Sequence, residues 1–491
     1  MTARAARLRP HLALLVLLAG GVFLRALLML EYRPAVLSNP DSARFLHFAH
    51  FPDGLFEDHF GPSGYAAFLK ATRAIWDQFE ATIALQHLFG IAAALLLYAA
   101  LRRVGAPRWA ALVPAAIGLL WGDLVYLEHS PLSESPFLVL AAGGLYAAVR
   151  GLDRDGRWLA WLALAGALLA TAWLFRNVGL VLAPVAVLWA LAATAGPWRS
   201  RLLAAGAVAG AAALVIGAYV ALAAIDDGTT GMSDVSGWNM YGRAAPFADC
   251  DRFDPPEGTR FLCERRPASA RPGSLFYLWF DGSPARKRFG HPPIGDEKAG
   301  EWGRAAILAQ PFDYLSDVLR QLPRFVDPTA YRRQYTGGGP FSIARRNPDA
   351  EKLVRFDVER DYDAAEPHVG AGVARVAEWQ DTQRLGGLVP GALALLALLG
   401  PLLARGAARR AATLFALAGG GLVVLPAATL TLLARYAAPP TPLVAAAAGI
   451  GAWAVAERLR EWRAKRAGRA EGAAAGSPPP TSGSPPPATS A

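Results

Sequence analysis

Several polar residues stand at the ends of long apolar stretches, where charged groups are costly and usually face a cavity. The acidic ones are Asp41, Glu128 and Glu134, and the others are His59, His129, Arg176, Arg243, Arg435 and Tyr436. A carboxylate at the mouth of a cavity can act as a general base on a hydroxyl. The planar fork of an arginine can hold a phosphate and neutralise the charge that develops on it as it leaves. Together these residue types are suited to moving a group from a phosphate to a hydroxyl.

Each of these residues also has a structural interpretation. Asp41, in the stretch NPDS, could simply cap the helix that follows, since Asp is a favoured N-cap residue. Glu134 could merely oppose the dipole of its own helix. Alternatively, it could orient an acceptor or hold a divalent cation with Asp41, and Glu128 and His129 compete with it for this role. The arginines could snorkel to the membrane interface. No spacing matches a metal-ligand signature, so a divalent cation is neither required nor excluded.

The elements that must position these residues are membrane-spanning helices. Of 491 residues, 54% are hydrophobic and 18% are charged, a balance that disfavours an ordinary soluble domain. Apolar stretches of roughly 20 residues, enough to cross about 30 Å of hydrocarbon, recur along the chain. Ten stretches are predicted to be helices: Leu12–Leu30, Ala81–Leu101, Ala110–Leu127, Pro136–Val149, Trp158–Leu174, Val178–Ala193, Leu202–Ala224, Leu385–Ala404, Ala411–Leu433 and Pro442–Ala456. The predicted fold class is an all-α polytopic membrane protein.

The distribution of arginine and lysine predicts the orientation of these helices. The two terminal segments and alternate connections carry most of the short-loop basic residues, which are retained on the cytoplasmic side. Both termini are therefore expected in the cytoplasm, in a multi-pass protein of the inner membrane. The net charge of +10 suits anionic lipids, so no nucleic-acid partner is needed. Arg176 and Arg435 fall on the opposite face, which the positive-inside rule depletes, and this favours a role as phosphate partners.

The chain is predicted to have four parts. Residues 1–225 form an N-terminal membrane domain of seven helices, and its first outer loop, 31–80, contains interfacial helices. Residues 226–384 form an extracytoplasmic mixed domain, inserted before the last three helices at 385–457. A basic and then disordered cytoplasmic tail is expected at 458–491.

The inserted part contains an apolar stripe and the two cysteines of the chain, and each leads to a prediction. Phe312, Leu315, Val318, Leu319 and Leu322 form an apolar stripe, which is expected to be buried on the roof of the membrane domain. Cys250 and Cys263 lie outside the cytoplasm in this topology, where they could form a disulfide or remain free thiols.

Several short motifs resemble those of polytopic glycosyltransferases with the GT-C fold, the class that includes protein mannosyltransferases and lipid A aminoarabinose transferases. NPDSARFLHFAH followed by HFGPSGYAAFL is similar to their first-loop pattern, and SPLSESPF to their next acidic segment. WLFRNVGLVLAP resembles an arginine-bearing helix start, and ARYAAPPTPLVA the R-Y-x-x-P-x-x-P start of a late helix. The motifs span roughly residues 11–456. This chain departs from the metal-binding variants of the class, because no acidic residue stands beside Asp41.

The resemblance implies a sugar donor linked to a polyprenyl phosphate and an envelope glycan, lipid or protein as acceptor, with transfer on the outer side. By position Asp41 would be the general base, and Glu134 or Glu128 would orient the acceptor. The residues expected to bind substrate or phosphate are Arg176, Arg435, Tyr436, His59, His129 and Arg243.

Two other functions compete with this one. A lipid-linked saccharide transporter or flippase would also gather charges in a membrane cavity. A non-catalytic envelope assembly protein would leave the same residues dispersed, since only reacting groups must meet at a single substrate.

Overall fold

The computed structural model describes residues 11–50, 54–58, 60–226, 228, 230–331, 342–343, 348–384 and 386–475, without the side chains of 348–350 and 468–475. The described residues of the N-terminal part form ten α-helices: α1 (Leu12–Glu31), α2 (Pro40–Phe48), α3 (Gly64–Ile75), α4 (Phe79–Arg103), α5 (Arg108–Leu120), α6 (Gly122–Glu128), α7 (Glu134–Arg150), α8 (Trp158–Phe175), α9 (Leu182–Ala193) and α10 (Trp198–Asp226). Further helices follow in the polar interval: α11 (Ser236–Ala244), α12 (Ser274–Trp279), α13 (Pro284–Phe289), α14 (Asp296–Ala309), α15 (Pro311–Gln321), α16 (Pro348–Asp361) and α17 (Gly372–Thr382). The last helices are α18 (Leu388–Leu403), α19 (Gly406–Thr429), the short α20 (Ala434–Ala437) and α21 (Thr441–Ala475).

Seven of the described helices, namely α1, α4, α7, α8, α10, α19 and α21, are long and apolar enough to cross a membrane. The pair α5 and α6 makes an eighth if it counts as one span, while α9, with the turn that precedes it, and α18 are shorter apolar helices. The all-α, multi-pass membrane class is therefore confirmed. Each of the ten predicted stretches contains a helix, but two are short, so ten spans remain a prediction.

The predicted span Ala110–Leu127 is broken in the middle. α5 and α6 meet at Trp121 with a bend of 50°, which leaves carbonyl oxygens at the end of α5 without helical partners. Arg25 of α1 donates to the carbonyl of Leu119 at 2.7 Å, and Trp379 of α17 donates to the last carbonyl of α5 at 2.8 Å. Side chains from two distant helices therefore stabilise the break, and the local sequence does not reveal them.

Where it is described, the polar interval consists mostly of helices, with one short strand. β2 (His368–Val369) pairs in an antiparallel manner with β1 (Tyr32–Arg33), which directly follows α1. Helices α11 to α14 surround a hydrophobic core of their own, in which Trp238, Tyr241 and Trp302 are fully buried. Cys250 and Cys263 form a disulfide beside this core, with their Cα atoms 6.0 Å apart.

The apolar stripe of α15 is exposed, contrary to the expectation that the membrane domain would cover it. Val318 is buried, but Phe312 is 83% exposed and Leu315 and Leu319 are about half exposed. The hydroxyl of Tyr314 donates to the carbonyl of Ala428 near the end of α19 at 3.0 Å. The helix thus packs on the end of a membrane helix through its side, and Phe312, Leu315 and Leu319 of the stripe face outward.

The last helix continues further than the sequence suggests. α21 runs to Ala475, through part of the segment expected to be disordered, because alanine, arginine and glutamate are good helix formers. Residues 476–491 lie outside the described part of the chain.

Candidate active site

Arg435 connects two other parts of the chain. It lies on α20, between two membrane helices, and its side chain is 12% exposed. Its NH1 group donates to a carboxylate oxygen of Asp41, and its Nε donates to Oε1 of Glu134. Its NH2 group is 3.4 Å from the second Glu134 oxygen, so the Nε edge of the guanidinium faces the whole carboxylate of Glu134. Three of the predicted site residues are thus in direct contact.

Arg176 approaches Glu134 from another direction. It follows the end of α8 in an extended conformation, and its side chain is 7% exposed. Its NH1 group pairs with Oε1 of Glu134 and donates to the hydroxyl of Ser133 at 3.2 Å. The guanidinium carbon is 5.8 Å from the centre of the Tyr436 ring. The buried Nε of Arg176 has no hydrogen-bond partner, so this arginine keeps a donor for a ligand.

Asp41 is not the residue that caps α2. Asn39 is the N-cap, because its side chain accepts a hydrogen bond from the backbone N–H of Asp41 at 3.0 Å, and Pro40 suits the first helical position. The Asp41 carboxylate is therefore available to Arg435, and its side chain is 45% exposed. We call Asp41, Glu134, Arg176 and Arg435 together the Arg435 cluster.

The formal charges of the Arg435 cluster cancel, since two arginines face two carboxylates. Burial alone would raise the pKa of Asp41, but the charges of Arg435, Arg44 and Arg176 outweigh it and hold this pKa below its usual value. Conversely, burial would lower the pKa of Arg435, but Glu134 and Asp41 raise it above its usual value. The base candidate is therefore ionised at neutral pH.

A third arginine, which the sequence reasoning missed, stands beside this cluster. Arg44 lies three residues after Asp41 on α2, and its NH1 group donates to the two oxygens of Asp58 at 2.8 and 2.5 Å. A side chain added at Gly61 would lie within 4 Å of both Arg44 and Asn177, the neighbour of Arg176. The i, i+3 spacing from Asp41 was the available signal, because it places both side chains on one helix face.

Glu128 and His129 belong to a different group, the Glu128 cluster, formed by Arg25, His87, Glu128 and His129. Arg25 donates to both oxygens of Glu128 at 2.7 Å, and Nδ1 of His87 is 3.0 Å from one of them. Nε2 of His87 is 3.0 Å from Nδ1 of His129, whose Nε2 is 2.8 Å from the carbonyl of Tyr32. Burial, with the nearby His87, lowers the pKa of His129 to about 3.

The two clusters are neighbours. Glu128 and Glu134 line the same small cavity, whose other lining residues are Gly90, Leu124, Leu127, Ser135, Leu138 and Pro439. It is nevertheless Glu134, and not Glu128, that shares an arginine with Asp41.

The remaining predicted site residues do not join the Arg435 cluster in the described structure. Arg243 is buried on α11, where it pairs with Asp317 and lies over the ring of Tyr314 at 5.6 Å. His59 lies outside the described residues. Within the described part of the chain, no group of three or more His, Cys, Asp and Glu side chains is arranged to hold a metal ion.

Comparisons with known proteins find a distant likeness among solved structures. No protein-family model matches the chain, and no curated protein matches it. Among solved structures, the archaeal oligosaccharyltransferase AglB from Archaeoglobus fulgidus, in complex with an inhibitory peptide and a dolichol-phosphate, is similar with a TM-score of 0.46 and 15% identity. The match covers 94% of this chain and 52% of the other, so this chain spans about half the length of that protein.

Proposed function

We propose that this protein is a membrane glycosyltransferase that moves a sugar from a polyprenyl-phosphate donor to a hydroxyl of a cell-envelope acceptor. The observation that carries the proposal is that Asp41 and Glu134 converge on Arg435, while Arg176 pairs with the same Glu134. These residues come from the separate motifs that resemble the GT-C glycosyltransferases. They meet where membrane helices end, beside an arginine donor with no partner.

The proposed reaction is a direct displacement at the anomeric carbon. The acceptor oxygen forms a bond to this carbon while the bond from the carbon to the phosphate oxygen breaks, and the electron pair stays on the phosphate. Asp41 takes the proton of the acceptor hydroxyl. Arg176 and Arg435 neutralise the charge that grows on the leaving phosphate. Such a displacement inverts the configuration of the sugar.

The role that we propose for Glu134 differs from the orienting of the acceptor that the resemblance implied. Both of its oxygens face arginines, so we assign it the positioning of Arg176 and Arg435 rather than contact with the acceptor. A carboxylate between two guanidinium groups fixes their direction, which bidentate geometry makes specific. Glu128 is committed to Arg25 and takes no part in this scheme.

The convergence also bears on the two competing functions. An assembly protein has no need to bring residues of four segments to one point at the membrane surface. A transporter could use such a cluster, and the two activities differ in their product: an enzyme releases polyprenyl phosphate, whereas a transporter leaves the donor intact.

The test is sugar transfer by the purified protein in nanodiscs, using labelled polyprenyl-phosphate sugars and an envelope extract as acceptor. We expect Asp41→Asn to reduce the release of polyprenyl phosphate by about 100-fold or more, the contribution typical of a general base. The control is Asp313→Asn, which removes an equally exposed carboxylate from an arginine on the polar interval. Unchanged turnover in a folded Asp41→Asn protein would overturn the assignment of Asp41. In proteoliposomes, movement of intact donor without release of polyprenyl phosphate would favour the transporter.

A further inference from the structure

All three nitrogens of the Arg435 guanidinium are engaged. Nε and NH2 face Glu134, and NH1 contacts Asp41 and lies 3.5 Å from the side-chain oxygen of Asn39. Arg176 differs, because its Nε has no partner. At Arg435, by contrast, a phosphate must replace a group that is already bound.

The exposures of the side chains show which group a phosphate would replace. Glu134 is 2% exposed and is held by two arginines. Asp41 is 45% exposed and makes a single ion pair with Arg435. Exposed ion pairs contribute little free energy, whereas buried ones resist separation. A phosphate that binds Arg435 would therefore displace Asp41 rather than Glu134.

We infer that Asp41 and the donor phosphate compete for Arg435, so that binding of the donor releases Asp41 to accept the proton of the acceptor. The inference rests on the proposed function. In the ligand-free protein Asp41 occupies the phosphate position on Arg435 and its lone pairs point at a guanidinium. When a phosphate oxygen replaces it, the carboxylate is free to turn towards the acceptor hydroxyl. No bond is made or broken in this step; one ion pair replaces another.

Two consequences follow for the reaction. The donor binds before the acceptor is activated, because the base is occupied until the phosphate arrives. After transfer the phosphate carries one more negative charge and Asp41 carries the proton, so the protonated carboxyl no longer competes for Arg435. Loss of that proton restores the ion pair and helps to displace the polyprenyl phosphate.

The experiment measures the binding of farnesyl phosphate, a short lipid phosphate, to the purified full chain in nanodiscs. Competition predicts that Asp41→Asn binds this probe about fivefold more tightly than the wild type, the upper range for a partly exposed ion pair. If Asp41 instead helps to hold the phosphate site in shape, the same variant binds the probe with equal or weaker affinity, which would overturn the inference.

The matched control is again Asp313→Asn, which changes the net charge by the same amount at a carboxylate of the same exposure. Its affinity for farnesyl phosphate should equal that of the wild type; a similar gain in the control would mean a general charge effect and would also overturn the inference. Asp41→Ala provides the same comparison if the asparagine variant does not fold.

Transfer measured on the same preparations separates the two proposals. Retained transfer contradicts the assignment of Asp41 as the base, whereas lost transfer with unimproved binding contradicts the competition alone.

Discussion

At the scale of single residues, the chemistry of the site depends on how many arginines each carboxylate faces and on how deeply it is buried. Glu134 faces two arginines and is almost fully buried, whereas Asp41 faces one and is half exposed. A buried carboxylate between cations is a fixed part of the structure, because separating such charges is costly. A half-exposed carboxylate can move and exchange protons. The two acids therefore have different roles, and that of Glu134 differs from the orienting of the acceptor that the resemblance implied.

Replacing Glu134 by glutamine should destabilise the fold as well as abolish transfer. The change leaves two buried arginines without their shared counter-charge, and removing one partner of a buried ion pair costs about 3–5 kcal/mol. The free energy of unfolding in detergent should fall by that amount. Glu461→Gln is the control, since Glu461 pairs with Arg405 and both side chains are at least 41% exposed; its stability should equal that of the wild type within experimental error, because exposed ion pairs contribute little. Equal stability of the two variants would contradict the assignment of Glu134 as a buried counter-charge.

At the scale of helices, the break between α5 and α6 is the element that sets the positions of Glu128 and Glu134. Arg25 binds both the freed carbonyl of Leu119 and the carboxylate of Glu128. The side chain of Asp123 accepts a hydrogen bond from Gln380 at 3.0 Å, which joins α6 to α17. α17 thus holds the N-terminal end of α6 and α1 holds its C-terminal end, so the segment that leads to α7 starts from a fixed point.

The Glu128 cluster makes this region sensitive to acid. His129 has a pKa of about 3 in the folded protein and about 6.5 when unfolded, so below pH 6.5 the unfolded chain binds a proton that the folded chain does not. This contribution to stability is complete above pH 6.5 and is lost as the pH falls from 6.5 towards 3. The midpoint of thermal unfolding should therefore drop between pH 7.5 and pH 5.

The decrease in the midpoint of thermal unfolding between pH 7.5 and pH 5 should be several degrees smaller in His129→Gln, because glutamine cannot take up the proton. His368→Gln, a change at an exposed histidine of β2, should show the same pH dependence as the wild type. An unchanged drop in His129→Gln would mean that another group is responsible.

At the scale of the whole molecule, exposed apolar side chains indicate where the protein meets lipid. Leu308, near the end of α14, and Phe312, near the start of α15, are 73% and 83% exposed. Leu388, at the start of the apolar helix α18, is 92% exposed, and the neighbouring Gly387 donates to the carbonyl of Val326, just after α15, at 2.7 Å. The stripe of α15 is therefore continuous with the surface of the membrane helices. An amphipathic helix in this position is expected to lie in the bilayer interface.

Spin labelling tests this placement directly. Both cysteines of the chain are in the disulfide, so a label on Phe312→Cys reports from one position. In nanodiscs we expect the label to be more accessible to oxygen, which dissolves in lipid, than to a water-soluble nickel complex. A label on Lys287→Cys, on α13 of the polar interval, should show the reverse order. Equal behaviour of the two labels would place the stripe in water.

The sequence by itself determined the membrane helices and the residue types at their ends. Hydropathy is a local property, so a stretch of about 20 apolar residues predicts a span wherever it lies. The candidate acids and arginines were identified in the same way, because charged residues at the end of an apolar stretch are costly and stand out in the sequence. Asp41, Glu134, Arg176 and Arg435 were all identified in this way.

Only the tertiary structure decided which of these residues meet. Arg435 is separated from Asp41 by 394 residues and from Glu134 by 301, and no local pattern links segments so far apart. The competition between Glu128 and Glu134 and the place of Arg44 both depended on how helices pack. The bend at Trp121 and the outward stripe of α15 depended on it as well. The physical reason is that an ion pair forms between whichever charges packing brings within contact, and packing is a property of the whole chain.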